Sequence, residues 1–271
     1  MHWPNRCTTD GQVVERTGAL IFAALAWVGE VSLFGGRALF EAFRPPYEFR
    51  EIARQTFEIG WRSTPLIATA GLAIGVVLSM HTRASLERFG AEAMIPAGLA
   101  MALIRETGPL VTALLVSGRV GAGIGAELGA MKVTEQIDAL EAVAVDSFKY
   151  LAVTRILACI LALPLLTTIA DICGIFGGYL AESAISGMSW ELYSNRAFSL
   201  VEFSDFIPAT LKTMVFGMII GTVACYLGFT TTHGTEGVGR TSTRSVVTSS
   251  ILIIVANVVL VRLIFFLFPP A

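Results

Sequence analysis

The chain has 271 residues, of which 54% are hydrophobic and 15% are charged, and its formal net charge is −2. Soluble globular domains carry about 25% charged residues, so this composition, with a mean hydropathy of +0.70, excludes an ordinary soluble domain. The near-neutral charge identifies no class of partner, and we expect no nucleic-acid partner.

Long runs without Asp, Glu, Lys or Arg recur along the sequence. These runs are 63–82, 93–104, 107–118, 156–170, 213–235 and 245–261. A membrane-spanning helix needs about 20 mostly apolar residues, whereas a membrane β-barrel would show alternating segments of about ten residues. We therefore predict an all-α polytopic membrane protein with an N-terminal interfacial helix, five transmembrane helices and a cytoplasmic coupling helix.

Residues 1–62 are predicted to form the N-terminal cytoplasmic or interfacial segment, without a cleavable signal peptide. A helical pattern runs from Gln12 to Phe43, but its apolar part, 17–29, is short for a span and fits an interfacial or re-entrant helix. Pro45 and Pro46 end this helix because neither has an N–H to donate. The charged stretch 47–62 is then predicted to be a surface segment.

Residues 63–268 are predicted to form the five-span domain. The spans are placed at 63–81, 96–118, 151–181, 206–231 and 245–268, with polar loops at 182–204 and 232–244. Two pairs of glycines four residues apart, Gly71 with Gly75 and Gly217 with Gly221, predict close helix packing.

Arg105, Glu106 and Asp171 are ionisable residues that fall inside predicted spans. Placing a charged residue at the centre of a membrane-spanning helix costs about 2.5–3.5 kcal/mol on insertion scales. Arg105 and Glu106 either pair or reach an interface, or they face a polar cavity or a lipid headgroup. Asp171 either makes a structural hydrogen bond within the bundle or has a functional role, and the sequence leaves both readings open.

The glycine-rich stretch after the second span contains Gly121, Gly125 and Gly129, which share one helical face. Its G-x-G-x-x-A pattern imitates a dinucleotide fingerprint, but that fingerprint requires a preceding β-strand. Helix packing is the better interpretation.

The sequence predicts no catalytic residues, no metal site and no cofactor on this chain. None of its three lysines follows a glycine, which excludes a P-loop. Its cysteines and histidines are scattered and lack the spacing of metal ligands.

An acidic amphipathic helix is predicted at about 130–148, between the second and third spans. Val133, Ile137, Leu140 and Val143 or Ala144 recur at three- and four-residue steps. Such a helix either lies on the bilayer or presents a face to a protein. Its acidic charge argues against anionic lipids, so a protein partner is favoured.

Lysine and arginine concentrate in the N-terminal segment and in the loops 119–155 and 232–244. The positive-inside rule places these regions in the cytoplasm and the C-terminus on the opposite side. Three functions remain open: the membrane subunit of an ATP-driven transporter, an ATP-independent secondary transporter, and a non-transporting scaffold. Only the first explains a cytoplasmic amphipathic helix beside intramembrane charges.

The stretch from Arg105 to Arg155 resembles the MlaE family of permeases, and the resemblance covers most of residues 50–268. The motifs that carry it are Arg105-Glu106-x-Gly108-Pro109, Thr112–Leu115, Gly118–Gly121, Ala126–Gly129, Val133–Glu141, Val145-Asp146, Arg155, Pro164, Ala170-Asp171, Gly177-Gly178, Gly237–Arg240 and Thr243-Arg244-x-Val246-Val247.

The resemblance implies an ATP-driven phospholipid transporter of the bacterial inner membrane that maintains outer-membrane lipid asymmetry. It implies a homodimer with an MlaF-like ATPase that carries ATP and Mg, an MlaD-like MCE protein, and in some systems an MlaB-like STAS protein.

The resemblance also assigns residues. The coupling helix that contacts the ATPase would contain Glu135, Gln136, Asp138, Ala139, Leu140 and Glu141. The lipid cavity would be lined by Leu78, Arg105 and Glu106. On physical grounds, we expect Arg105 to attract the phosphate and Glu106 to keep Arg105 from being an unpaired buried charge.

Overall fold

The computed structural model describes residues 7–45, 47–201, 203–232 and 234–267, and all regular structure in these ranges is helical. The α-helices are α1 (Cys7–Ala42), α2 (Phe49–Leu86), α3 (Ile95–Ala102), α4 (Gly108–Val116), α5 (Ala122–Val133), α6 (Gln136–Ala142), α7 (Thr154–Ser186), α8 (Trp190–Ala197), α9 (Phe203–Phe229) and α10 (Gly234–Leu267). Three π-helical segments, Leu103–Thr107, Ser117–Gly121 and Phe148–Val153, join α3 to α4, join α4 to α5, and lead into α7.

Within the described ranges, five helical segments are long and apolar enough to cross a membrane. They are Phe49–Phe89, Glu92–Val133, Phe148–Ser186, Phe206–Phe229 and Gly234–Ile264. The prediction of an all-α, five-span membrane protein is confirmed. Successive spans run in opposite directions, so α6 lies at one end of the bundle (the α6 end) and α8 lies at the other (the α8 end).

The helices extend beyond the predicted spans. Residues 49–62, predicted to be a separate surface segment, form the first turns of α2, and most of the predicted loop 232–244 belongs to α10. The predicted loop 182–204 contains α8, which begins where Ser189 Oγ accepts the Leu192 N–H. Apolar runs mark the part of a helix that suits lipid, whereas charged residues continue the same helix outside it.

The centre of the bundle is α7, which packs against α2 through small residues. A Cβ on Gly75 would overlap the carbonyl oxygen of Gly174, and a Cβ on Gly71 would lie 2.6 Å from that of Ala170. On the other side of α7, a Cβ on Gly217 would lie 2.5 Å from the Cys159 carbonyl oxygen. Both predicted glycine pairs therefore lie at close contacts between helix backbones.

At the α8 end, a buried ion pair joins the last turns of α2 and α7. The Arg83 guanidinium pairs with Glu182, whose side chain is almost fully buried, and Ser79 Oγ donates to Glu182 Oε1 over 3.0 Å. This contact fixes the two most closely packed spans to each other where they leave the bundle.

Helix α1 lies against the bundle with one face. Val31 and Ala38 are buried on that face, and Tyr226 of α9 donates a hydrogen bond to Glu30. The opposite face exposes Leu33 and Phe40. A helix with one packed face and one exposed apolar face can lie at a membrane interface, and the interfacial position of this segment stays a prediction.

Candidate functional site

A charged cluster lies inside the bundle, in the half nearer α8. The Lys212 ammonium on α9 is 3.1 Å from Glu106 Oε1, and Asn257 on α10 donates to Glu106 Oε2 over 3.2 Å. The Lys212 side chain is 1% exposed, whereas that of Glu106 is 44% exposed. The pair is therefore shielded on the lysine side and open on the carboxylate side.

The backbone that carries Arg105 and Glu106 is the π-helical segment Leu103–Thr107. Pro109 follows and has no N–H with which to satisfy the Arg105 carbonyl in an α-helical pattern. Lys212 Nζ donates to that carbonyl over 2.9 Å. One ammonium group thus compensates for both a helix irregularity and a carboxylate at membrane depth.

The sequence-predicted cavity residues lie in the same half of the bundle. The Arg105 side chain is exposed, and Leu78 is partly buried against an apolar cluster that includes Leu103, at the start of the π-helical segment. Their role in lining a lipid cavity stays a prediction.

The cation beside the Glu106 carboxylate differs from the expected one. Glu106 was expected to balance Arg105, but in the structure its carboxylate pairs with Lys212. Consecutive helical residues point in different directions, whereas packing brings a neighbouring helix to the carboxylate.

Sequence reasoning missed Lys212 and Asn257. A signal for each was present, because both are polar residues within an otherwise apolar predicted span. Intramembrane polar residues usually face the bundle interior and find partners there. What the sequence lacked was the information that α9 and α10 bring these residues to Glu106.

Asp171 is buried on α7 beside the same irregular segment. A Cβ on Gly108 would overlap its Oδ1 atom, which has no hydrogen-bond partner among the described residues. The structural hydrogen bond considered for Asp171 is thus not seen at Oδ1. The carboxyl instead lies against the backbone at Gly108, where a larger residue would not fit.

The glycines predicted for helix packing face α9 and α10. A Cβ on Gly125 would lie 2.5 Å from Ser245 Oγ, and one on Gly129 would lie 2.9 Å from Thr231 Oγ1. Gly121 has more space, since its nearest neighbour would be Ile220 at 3.5 Å. These glycines let hydroxyl-bearing residues approach the backbone of α5 closely.

The segment predicted as one coupling helix at about 130–148 is divided. Helix α5 ends at Val133, α6 covers only Gln136–Ala142, and the chain turns again before Phe148. Glu135 and Ala144 bracket α6 with φ values of 58° and 60°. Val133 therefore belongs to a different helix from Ile137 and Leu140, which changes the predicted apolar face.

The coupling residues assigned by resemblance are divided between two environments. Those that are exposed are Glu135, Gln136, Asp138, Ala139 and Glu141. Leu140 is partly buried against the main apolar core, next to the buried Ile137. The exposed surface of α6 is therefore acidic and polar, whereas its apolar face anchors it to the bundle.

The left-handed conformation of Ala144 predicts a stabilising substitution. Ala144 ends α6 in a Schellman turn, with Val145 N–H donating to the Leu140 carbonyl over 3.1 Å. Glycine adopts this conformation without the steric cost of about 1 kcal/mol that a Cβ incurs. We expect Ala144→Gly to slow amide hydrogen exchange across α6.

The matched control is Ala139→Gly at an exposed position within α6, where glycine lowers the stability of the helix by about 1 kcal/mol relative to alanine. This variant should speed exchange of the same amides. Equal exchange in both variants would contradict a strained turn at Ala144.

Among the described residues, no group of three His, Cys, Asp or Glu side chains is placed to hold a metal ion. The chemistry available at the Lys212–Glu106 cluster is electrostatic recognition of a polar group at membrane depth.

Comparison with known proteins identifies the family. Residues 52–263 match the family "Permease MlaE". The chain is 39% identical over 238 residues to a "Probable ABC transporter permease protein" of Rickettsia bellii, covering 88% of this chain and 92% of the relative. It is 32% identical to the "Intermembrane phospholipid transport system permease protein MlaE" of Haemophilus influenzae over 222 residues, 80% of this chain and 84% of the relative. It is also 32% identical to "Protein TRIGALACTOSYLDIACYLGLYCEROL 1, chloroplastic" of Arabidopsis thaliana over 86% of this chain and 67% of that protein. With its five apolar spans, the chain belongs to the MlaE family of ABC transporter permeases.

Proposed function

We propose that this chain is the membrane subunit of an ATP-driven phospholipid transporter in a bacterial inner membrane, where it maintains outer-membrane lipid asymmetry. It acts as a homodimer with an MlaF-like ATPase that binds ATP and Mg, an MlaD-like MCE protein and, in some systems, an MlaB-like STAS protein. ATP hydrolysis takes place on the ATPase and not on this chain. The Haemophilus relative, named as a phospholipid transport permease, supports the substrate class.

The observation that carries this proposal is the Lys212–Glu106–Asn257 cluster. A buried ammonium and a half-exposed carboxylate inside a five-span bundle are costly even when paired, and residues of this kind usually mark substrate pathways. The exposed Arg105 next to Glu106 supplies a guanidinium that can bind a phosphate with two parallel hydrogen bonds. Apolar residues such as Leu78 then provide a surface for acyl chains.

The mechanism has two states. ATP brings the ATPases together, the α6 helices follow them, and the cavity between the permease subunits changes its shape. A phospholipid that binds the two states with different affinity is then moved between the cavity and the MCE protein. In this topology the N-terminus and the α6 end lie in the cytoplasm, whereas the α8 end and the C-terminus lie in the periplasm.

The experiment that tests this function is purification of the tagged chain from its native membrane under mild detergent. Mass spectrometry should identify an ATPase, an MCE protein and phospholipid together with the chain. A chain recovered alone, with neither ATPase nor lipid, would contradict the proposal.

The exposed face of α6 gives a prediction about coupling. We expect Ala139→Arg to abolish co-purification of the ATPase while the five spans remain folded, because Ala139 is exposed in the middle of the proposed contact. Leu140→Arg is a poorer test, since it would also place a charge against the apolar core.

The control for Ala139→Arg is Asn195→Arg on α8, at the opposite end of the bundle, where the side chain is also exposed. It should retain the ATPase at the wild-type ratio. Retention of the ATPase by Ala139→Arg would place the contact elsewhere.

A further inference from the structure

A cleft of about 510 Å³ lies at the α6 end, between α1, the segment that follows α6, and the end of α9. We call it the α1 cleft. Its lining residues are Phe34, Arg37, Glu141, Asp146, Ser147, Phe148 and Phe229. Lys212 and Glu106 are not among them and lie in the opposite half of the bundle. The α1 cleft is therefore separate from the proposed transport cavity.

The cation of the α1 cleft is Arg37. Its guanidinium carbon lies 4.4 Å from the centroid of the Phe148 ring. A cation–π contact holds an arginine in place while its N–H groups stay available to an anion at the edge of the plane. The side chain of Arg37 is exposed and can therefore meet a ligand that enters from the membrane interface.

Two carboxylates occupy the same cleft, and hydrogen bonds hold both in position. Glu141 Oε1 accepts a hydrogen bond from the buried Ser147 hydroxyl over 2.6 Å, and Asp146 Oδ1 accepts the Lys149 N–H over 3.1 Å. Each carboxylate keeps a second oxygen for another donor. The cleft thus presents one fixed positive group and two fixed negative groups.

Three phenylalanines form the apolar wall. The ring centroid of Phe34 lies 5.0 Å from that of Phe148 and 6.1 Å from that of Phe229. The neighbouring part of α1 exposes Phe40 and Phe43, at 59% and 81%. This exposed apolar face beside the cleft offers a surface for lipid chains.

We propose that the α1 cleft binds the headgroup of a zwitterionic aminophospholipid, with Arg37 on the phosphate and Glu141 and Asp146 on the ammonium group. Glu141, which the resemblance assigned to the ATPase contact, then belongs to the cleft, where Ser147 holds it. An anionic phospholipid without an amine would satisfy Arg37 but would bring no cation to the two carboxylates, which disfavours it. A simple cation would leave Arg37 as a repulsive neighbour. A headgroup that joins a phosphate to a primary ammonium complements both charges in one ligand.

The test uses the full chain purified without its partners. It is exposed to equal amounts of phosphatidylethanolamine and phosphatidylglycerol, and native mass spectrometry counts the lipids that stay bound. We expect the wild-type chain to retain phosphatidylethanolamine preferentially. Arg37→Gln should reduce this retention about fivefold, the size of effect that one charge contact near a surface can give. Asp146→Asn should reduce the preference over phosphatidylglycerol.

Two controls separate this site from the others. Arg54→Gln alters another exposed arginine, which lies outside the cleft and pairs with Glu51, and it should leave retention unchanged. Arg105→Ala alters an exposed residue of the proposed transport cavity and should leave the phosphatidylethanolamine of the α1 cleft in place. Failure of the transport proposal therefore does not decide the outcome of this one.

Equal retention of the two lipids by the wild-type chain would overturn the proposal, as would retention that Arg37→Gln leaves unchanged. Hydrogen exchange at residues 141–148 gives a third outcome. If these amides are protected only when the ATPase binds, and not by phosphatidylethanolamine, the cleft belongs to a protein interface and the lipid proposal is wrong.

Discussion

Replacement of Lys212 by methionine is expected to destabilise the chain and to abolish lipid transport. Methionine preserves the length of the side chain but leaves Glu106 with Asn257 as its polar contact and the Arg105 carbonyl without its ammonium donor. Breaking a buried ion pair costs 3–5 kcal/mol in general, and the 44% exposure of Glu106 places the expected cost at about 3 kcal/mol. Thermal unfolding in detergent and lipid transfer between reconstituted vesicles measure the two effects.

The double variant Lys212→Met with Glu106→Gln separates stability from function. It removes the carboxylate together with its cation, so most of the lost stability should return while transport stays absent. A double variant as unstable as Lys212→Met would show that the ammonium acts mainly through the Arg105 carbonyl. Wild-type transport by either variant would exclude the cluster from the transport pathway.

Gly75→Ala is expected to prevent correct packing of α2 on α7. The added methyl group would overlap the backbone oxygen of Gly174, and a helix backbone cannot move aside as a flexible side chain can. Forcing extra volume into a packed interior costs 1–3 kcal/mol or more, and we expect at least the upper value, about 3 kcal/mol. The measurement is the yield of monodisperse protein and its unfolding temperature.

Gly60→Ala is the matched control in the same helix, since a Cβ there would meet no atom within 4 Å. Alanine is the better helix former, so this variant should be neutral or slightly more stable. If Gly75→Ala unfolds at the same temperature as Gly60→Ala, then α2 and α7 do not pack as closely as the structure shows.

The candidate site shows where sequence reasoning reached its limit. Arg105 and Glu106 were found because ionisable residues inside an apolar span are conspicuous. Their surroundings were not found, because Lys212 lies 106 positions further along the chain from Glu106 and reaches it only through packing of α9 against the π-helical segment. From one sequence, the simplest assumption was that Arg105 and Glu106 pair with each other. In the structure, the Glu106 carboxylate instead pairs with Lys212.

The coupling segment shows a second limit. The acidic, amphipathic character of residues 130–148 was clear from the sequence, but a periodic pattern does not show where a helix ends. Glu135 and Ala144 adopt left-handed backbone conformations, although glycine favours that region and neither residue is glycine. No local signal predicts these turns, and between them Ile137 and Leu140 pack α6 against the core.

By itself, the sequence determined the class of the protein, the number of spans and the identity of some of the residues that are unusual within them, such as Arg105 and Glu106. These properties follow from composition and length, because lipid tolerates few charges and requires about 20 apolar residues for each crossing. The tertiary structure alone decided which helices touch, which charges pair, and that the α1 cleft exists. Contacts of these kinds join residues that are far apart in the chain. Their geometry depends on close approaches between helix backbones, such as that of Gly75 to Gly174. A pattern in a single sequence does not specify which two helices approach each other.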